Sequence, residues 1–153
     1  MGRGVRVLHL HLHGLFRSRD LELGRDADTG GQTLYVLDLV RSLAQRPEVE
    51  RVDVVTRLVQ DRRVAADYGR PVELIAPGAR ILRFPFGPKR YLRKEQLWPH
   101  LEDLADQLVH HLTQPGHEVD WIHAHYADAG SVGALVSQRL GLPLVFTGHS
   151  LGR

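Results

Sequence analysis

The amino-acid sequence predicts an α/β fold, namely a Rossmann-like parallel sheet with helices on both faces. Short runs rich in valine and leucine alternate along the chain with longer segments in which apolar residues recur at helical spacing. Because consecutive parallel strands are joined by crossover helices, this alternation indicates a series of β–α–β units. The chain has 153 residues, which is the size of one domain with a buried core. We therefore expect a single layer of about five parallel strands.

The first half of the chain contains three clear strands and one helix. A strand is predicted over residues 5–12, which are rich in valine and leucine. A helix is predicted over residues 30–46, where apolar side chains repeat on one face until Pro47 ends the pattern. Two further strands are predicted over residues 49–56 and 79–86.

The segment between the second and third strands, including residues 72–75, is ambiguous in its secondary structure. A long amphipathic helix is predicted after the third strand, with Pro99 in its first turn, where a missing N–H costs little. The apolar face of that helix is marked by Leu97, Leu101, Leu104, Leu108 and Leu112.

The last part of the chain repeats the strand–helix–strand order. A strand is predicted over residues 119–126, a helix over residues 128–141 and a final strand over residues 142–150. Asp128 is expected to cap the start of this helix and Gly141 to end it.

Composition and charge argue against several classes of partner. The formal net charge is +2, with 42% apolar and 25% charged residues, so no nucleic-acid interface is expected. No apolar run approaches the roughly 20 residues that span a bilayer, so no membrane partner is expected either. The chain has no cysteine, which excludes disulfides, thiolate catalysis and cysteine-ligated metal. We expect a cytoplasmic protein, since the lack of cysteine suits a reducing compartment.

A pair of glycines opens the first predicted helix. Gly30 and Gly31 stand in the run "DADTGGQTLYV", which matches neither the dinucleotide fingerprint nor the P-loop. Taken alone, such a pair is typical of a helix cap or a tight turn. A ligand site is the alternative, because the pair follows the carboxyl side of the first strand and backbone N–H groups at a helix start can bind an anion or hydroxyls.

Histidines stand where three of the predicted strands end. His13 follows the first strand, His125 closes the strand that includes "WIHAH", and His149 follows the last one. Because parallel strands end at one edge, these residues suggest a polar pocket for hydroxyls, or a general acid/base site near neutral pH. His9 and His11 alternate with His13, which is compatible with packed, hydrogen-bonded histidines or with a metal site. No carboxylate lies at a diagnostic offset, so no metal is predicted.

A basic segment follows the third strand. Lys89 and Arg90 come directly after a strand end and a Gly-Pro turn. A solvated loop is one interpretation, and a phosphate site is the other, because clustered lysine and arginine favour phosphate. The basic residues of this segment are Arg80, Arg83, Lys89, Arg90, Arg93 and Lys94.

Four stretches, found in the same order over most of residues 5–153, carry a family resemblance. They read "HGLFRSRDLELGRDADTGGQTLYV", "GPKRYLRKEQLWPHL", "HAHYADAG" and "TGHSLGR". Together they resemble the N-terminal part of the sucrose-phosphate synthases, which are retaining glycosyltransferases of the two-domain GT-B fold. Sucrose synthases share a run similar to "DTGGQ", whereas "HYADAG" and "GHSLGR" resemble the enzymes that use a sugar phosphate.

The resemblance implies a reaction and a role for each of two domains. Glucose would pass from UDP-glucose to fructose 6-phosphate, giving sucrose 6-phosphate and UDP with retention at glucose. Residues 1–153 would form most of the N-terminal acceptor-binding domain, while the domain that binds UDP-glucose would be absent. The chain alone would then have little or no transferase activity. No tightly bound cofactor is implied, and the oligomeric state and the choice between UDP and ADP stay open.

The resemblance also implies which residues meet the substrates. Those expected to bind the acceptor are His13, Gly30, Gly31, Gln32, Lys89, Arg90 and Lys94. The three basic residues among them fall in the segment that resembles an acceptor-phosphate site. His125 would lie between the two substrates and His149 near the transferred glucose, both in positioning roles. No residue is assigned as a nucleophile.

Three alternatives remain beside this interpretation. The first is a sucrose-synthase-like enzyme that takes fructose without a phosphate. The second is a phosphosugar-binding module without catalysis. The third is a metal-dependent hydrolase that uses the histidines of the strands.

Overall fold

The structure, a computed structural model, describes residues 2–149. Six strands form one sheet in the order β3-β4-β2-β1-β5-β6. The strands are β1 Val5–Leu10, β2 Val49–Arg57, β3 Val72–Ala76, β4 Ala79–Phe84, β5 Trp121–His125 and β6 Leu144–Thr147. The helices are α1 Gly31–Ala44, α2 Leu101–Leu112 and α3 Tyr126–Leu140, with short 3-10 turns at Ala66–Gly69, Lys94–Gln96 and Trp98–His100. The predicted α/β class is confirmed.

The sheet is parallel except at one edge. The ambiguous segment forms β3, which runs antiparallel to β4, so the sheet has six strands rather than the expected five or so. Residues 77 and 78 alone join these two strands, and Gly78 has φ 82°. A two-residue loop can join only antiparallel neighbours, which is the physical reason for the reversal.

Helices cover both faces, as the alternating pattern predicts. On one face α1 packs against β2 and β4, where its Val36 and Val40 meet Val54 and Ile81. On the other face α2 and α3 enclose a larger apolar core that includes Leu8 and Leu10 of the central strand. These two leucines alternate with His9, and period-two alternation therefore puts His9 on the α1 face. His9 pairs in register with Val54 of β2 and His123 of β5.

Two predicted helix starts are wrong in position. Helix α2 begins at Leu101 and not at residue 97, because the chain before it forms two short 3-10 turns, with Pro99 in the second. Helix α3 begins directly at the end of β5, so His125 is its N-cap residue and Asp128 lies in its first turn. The predicted stop at Gly141 is confirmed, with φ 68° at the C-cap.

Among residues 2–149, none of the helices has both the length and the apolar character needed to cross a membrane.

Candidate functional site

A cavity of about 320 Å³ opens where the carboxyl ends of β1 and β6 meet the starts of α1 and α3. Its volume falls in the range of small-molecule sites. Residues from distant parts of the chain line it, namely His13, Ala27, Asp28, Gly30, Gly31, Gln32, Tyr35, Lys94, Tyr126 and His149. The structure therefore brings together six of the residues predicted from sequence, which are His13, Gly30, Gly31, Gln32, Lys94 and His149.

The two glycines stand at the mouth of this cavity with free space beside them. A Cβ added to Gly30 or Gly31 would have no protein atom within 4 Å, so packing inside the chain does not demand glycine at either place. No side chain caps α1, and its first turn has no acidic residue. The first N–H groups of a helix lack partners within it. The N–H of Thr33 donates to the Gly30 carbonyl at 3.0 Å, so within residues 2–149 the N–H groups of Gly31 and Gln32 are the ones available to a ligand.

Gln32 follows the glycines and is held by a buried histidine. Its Nε2 lies 2.8 Å from Nδ1 of His11, whose other ring nitrogen is 3.5 Å from the Thr33 hydroxyl. Burial and the neighbouring His13 and His149 lower the pKa of His11 well below its ordinary value, so this ring is neutral. A neutral His11 Nδ1 can accept the amide N–H of Gln32, which leaves the amide oxygen of Gln32 for the cavity.

His13 pairs with a carboxylate. Its Nδ1 lies 3.0 Å from Oδ2 of Asp128, and both residues are buried. The other oxygen of Asp128 accepts the backbone N–H of Ala129 at 2.6 Å. Asp128 is therefore not the helix cap that the sequence suggested. It is the hydrogen-bond partner of a histidine that lines the cavity.

His149 ends a chain of three imidazoles. Its Nε2 lies 2.9 Å from Nδ1 of His125, and Nε2 of His125 lies 2.9 Å from Nδ1 of His9. His9 and His125 are fully buried, and Nε2 of His9 has no hydrogen-bond partner within residues 2–149. His125 therefore does not line the cavity; it stands behind His149 and holds that ring.

Burial lowers the pKa of all three rings, most strongly for the two that are fully buried. It lowers the pKa of His9 to about 3 and that of His125 to about 2, and the neighbouring imidazoles lower both further. The pKa of His149 is also lowered, by burial first and then by His13. An uncharged His149 can offer a cavity ligand a hydrogen bond without a net charge.

His123 joins His9 and His125 in a cluster whose ring nitrogens lie within 4.8 Å of one another. A shared metal ion would need the lone pairs of the three rings to converge. The rings of His123 and His125 instead lie stacked, 4.2 Å apart at 19° to each other, so their in-plane lone pairs lie in two nearly parallel planes and do not readily converge on one point. Two of the nitrogens are also joined by the bond between His9 and His125. This geometry favours stacked, hydrogen-bonded histidines over a metal site.

The basic segment reaches the cavity at one position. Lys94 lines it, with Nζ 3.9 Å from Oδ1 of Asp28 and 5.3 Å from the ring centre of Tyr126. Lys89 and Arg90 lie at the same edge of the sheet but are exposed and outside the cavity lining. Arg57 binds the carbonyls of Pro88 and Arg90, which fixes the backbone there and leaves both basic side chains outside.

Sequence reasoning missed Asp28, Tyr35 and Tyr126 in the cavity wall. Tyr35 packs edge-on against His149, with ring centres 5.0 Å apart, although it looks in the sequence like one more residue of the helix. Tyr126 and His149 have φ 75° and φ 54°, values that are uncommon outside glycine. Such strained backbone concentrates at functional sites. The position of Tyr126 directly after His125 was the one available signal.

A larger cavity, of about 520 Å³, lies between β3 and the loop around residues 17–20. It contains several arginines, but Arg17 and Arg70 already pair with Asp67. The smaller cavity is the better candidate, because it lies at the carboxyl ends of the parallel strands, where ligands of such sheets bind.

Comparison with known proteins shows the family of this chain. Residues 30–153 match the family model described as "Glycosyl transferase 4-like domain". The chain belongs to this family.

Relatives from plants extend the match over nearly the whole chain. "Probable sucrose-phosphate synthase" of Vicia faba and "Sucrose-phosphate synthase 1" of Arabidopsis thaliana are each 43% identical to it over 99% of its length. The chain spans 17% of the length of each of these relatives. A solved sucrose-phosphate synthase from Thermosynechococcus elongatus superposes with a TM-score of 0.79 at 26% identity, covering 97% of this chain and 34% of that one. The Rossmann-like fold of this glycosyltransferase-family domain is thus shared with a protein of that name.

Proposed function

We propose that this chain is the acceptor-binding part of a sucrose-phosphate synthase type of glycosyltransferase. Its relatives bear that name over 99% of its length, and the proposed reaction moves glucose from UDP-glucose to fructose 6-phosphate. The domain for the nucleotide sugar would belong to another part of a longer polypeptide. UDP-glucose would be a co-substrate, and no tightly bound cofactor is proposed. We also propose a cytoplasmic location, which the absence of cysteine suits.

One observation carries this proposal, which is that groups suited to a sugar and a group suited to a phosphate line a single cavity. The glycine pair and Gln32 offer backbone N–H groups and an amide oxygen at one wall. Lys94 offers an ammonium group at the other side, beside Tyr126. A phosphorylated ketose needs both kinds of group, because its hydroxyls both donate and accept hydrogen bonds and its phosphate is an anion.

The arrangement supports catalysis by positioning. In a retaining transfer the acceptor hydroxyl attacks from the face that the nucleotide leaves, and the departing phosphate of UDP takes its proton. The protein then has to align the substrates and stabilise charge. His149, which is hydrogen-bonded to His125, would lie near the transferred glucose, and no side chain is proposed to form a covalent intermediate.

The sequence left open which basic residue meets the phosphate, and the cavity favours Lys94 over Lys89. In the full-length polypeptide, Lys94→Ala is expected to weaken the binding of fructose 6-phosphate about 10- to 100-fold, because a charge-assisted hydrogen bond is lost. Lys89→Ala, which removes the same charge outside the cavity, should change the affinity less than about twofold. Isothermal titration calorimetry with fructose 6-phosphate and with fructose measures both effects.

The same measurements distinguish this proposal from two of the alternatives and test the position of the phosphate. Equal affinity for fructose and fructose 6-phosphate would favour a sucrose-synthase-like acceptor site. Binding of the phosphosugar without transfer from UDP-glucose in the full-length polypeptide would favour a non-catalytic module. A larger effect of Lys89→Ala than of Lys94→Ala would move the phosphate away from this cavity.

A further inference from the structure

A carboxylate behind the cavity fixes the orientation of a histidine that lines it. Oδ2 of Asp128 lies 3.0 Å from Nδ1 of His13, and their side chains are 1% and 7% exposed. Oδ1 of Asp128 accepts the backbone N–H of Ala129 at 2.6 Å. Asp128 lies in the first turn of α3, where the helix dipole stabilises a negative charge. Both of its oxygens are therefore engaged, each by a different donor.

This arrangement determines which nitrogen of His13 carries hydrogen. An ionised carboxylate can only accept, so Nδ1 of His13 must be the donor. When the ring is neutral, Nε2 is then a bare acceptor. Within residues 2–149, the hydrogen bonds of the His13 ring are limited to Nδ1, and the residue lines the cavity. Nε2 is thus left for a ligand.

We propose that Asp128 is a positioning residue, which makes His13 a hydrogen-bond acceptor for a hydroxyl group of the acceptor sugar. The inference rests on the proposed function and adds an orientation to it. Nε2 of His13 selects a group that donates, such as a sugar hydroxyl, and disfavours a phosphate oxygen, which only accepts. The phosphate therefore lies toward Lys94 and the hydroxyl toward His13.

The state of the His13 ring can be measured without any sugar. In the full-length polypeptide labelled with nitrogen-15 only in histidine, ring nitrogen shifts report which nitrogen carries hydrogen, and His13→Gln assigns the signal. We expect hydrogen on Nδ1 in the unsubstituted protein. Asp128→Asn should move it to Nε2, because the Ala129 N–H holds the amide oxygen and turns the amide NH2 group toward Nδ1 of His13.

Asp103→Asn is the matched control for this substitution. Asp103 lies in the first turn of α2, outside the cavity, so the same carboxylate is neutralised at the same kind of helix position. The His13 signals should not change in this variant.

Kinetics separate positioning from a purely structural role. Asp128→Asn should lower kcat/KM for fructose 6-phosphate about 10- to 100-fold while the KM for UDP-glucose stays within about twofold. In a protein that already carries His13→Gln, Asp128→Asn should lower kcat/KM further by less than about twofold, because its effect passes through His13. Asp103→Asn should keep the unsubstituted rates.

Two outcomes would overturn the inference. Hydrogen on Nε2 of His13 in the unsubstituted protein would do so, even if Asp128→Asn does not fold. Full additivity of Asp128→Asn and His13→Gln would do so as well, since Asp128 would then act independently of the ring. A ring with hydrogen on Nδ1 in a protein that does not use fructose 6-phosphate would instead refute the proposed function and leave the ring assignment standing.

Discussion

Two hydrogen-bonded histidine systems face the same cavity, and they end on different groups. His13 is hydrogen-bonded to the carboxylate of Asp128, whereas His149 is hydrogen-bonded to the buried imidazole of His125, which in turn bonds His9. A carboxylate fixes a ring as a donor toward itself, and it stabilises a positive charge on that ring if one forms. Buried imidazoles do the opposite, because they cannot compensate a charge, and burial lowers the pKa of each ring in the chain.

The difference teaches that the residue behind a site histidine determines what the histidine can do. Both His13 and His149 line the cavity and both are held by one ring nitrogen. The carboxylate partner gives His13 a defined acceptor nitrogen, whereas the imidazole partner of His149 cannot compensate a positive charge. The following predictions test the two systems separately, in order of expected effect.

A substitution that strains the backbone next to His13 should have the largest effect on the free energy of unfolding. Gly14 has φ 78°, and a Cβ there would overlap the carbonyl oxygen of Asp28. Gly14→Ala should lower the free energy of unfolding by about 3–4 kcal/mol, from the left-handed backbone and the overlap together. Chemical denaturation measures this change.

Gly24 provides the control for that substitution. It also has φ 78°, but a Cβ there would have no atom within 4 Å. Gly24→Ala should therefore cost only about 1–2 kcal/mol, the part that comes from the backbone. Equal costs at the two positions would show that the contact with Asp28 does not support the loop beside His13.

Removing the middle of the imidazole chain should have the second largest effect. His125→Phe keeps an aromatic ring but leaves Nδ1 of His9 and Nε2 of His149 without their partner. The expected loss is about 2–3 kcal/mol of unfolding free energy, because a buried polar group becomes unsatisfied. His123→Phe should cost less than about 1 kcal/mol. The His123 ring is stacked on His125, and among the described residues its hydrogen bonding is limited to the half-buried Thr147 hydroxyl. A larger loss for His123→Phe would mean that stacking, not hydrogen bonding, holds the cluster.

Lowering the pH should destabilise the protein through the buried imidazoles. Each histidine that is kept neutral only in the folded state changes the free energy of unfolding by about 1.4 kcal/mol per pH unit. As pH falls below 6.5, His9 takes up a proton in the unfolded chain, whereas the buried ring stays neutral until pH is near 3. The unfolded state therefore binds more protons, and the protein loses stability across this window as the pH falls. His9→Asn should reduce the slope of unfolding free energy against pH by about that amount between pH 6 and 4.

Urea denaturation at several pH values tests this slope, with His110→Asn at an exposed position of α2 as the control for the loss of one histidine. Parallel pH profiles for His9→Asn and the unsubstituted protein would contradict the conclusion that His9 is held neutral.

Much of the fold could be predicted because one rule, periodicity, governs it. The first strand, the helix after the glycine pair and the stop at Gly141 all have local signals, and the structure confirms them. The edge strand β3 is ambiguous in the sequence, which predicts neither its strand structure nor its direction. Its residues are half exposed and only the short turn at residues 77–78 makes it antiparallel.

The site divides in the same way between local and long-range information. His13, Gly31 and His149 could be predicted, because strand ends and helix starts of a parallel sheet meet at one edge. The partnership of His13 with Asp128 joins residues 115 positions apart, and a single sequence has no signal for such a contact. The sequence also has no signal for which lysine lines the cavity, Lys94 or Lys89. The path of the loop depends on hydrogen bonds from Arg57 to backbone carbonyls.

The left-handed backbone of Tyr126 has a consequence for any attempt to make this domain more robust. A tyrosine with φ 75° costs roughly 1–3 kcal/mol that a glycine would recover, so a search for stabilising substitutions would rank this position highly. Its ring, however, lies beside Lys94 in the cavity wall. Thermal robustness and an intact wall therefore compete at residue 126, and a variant selected for the first should be expected to weaken the second.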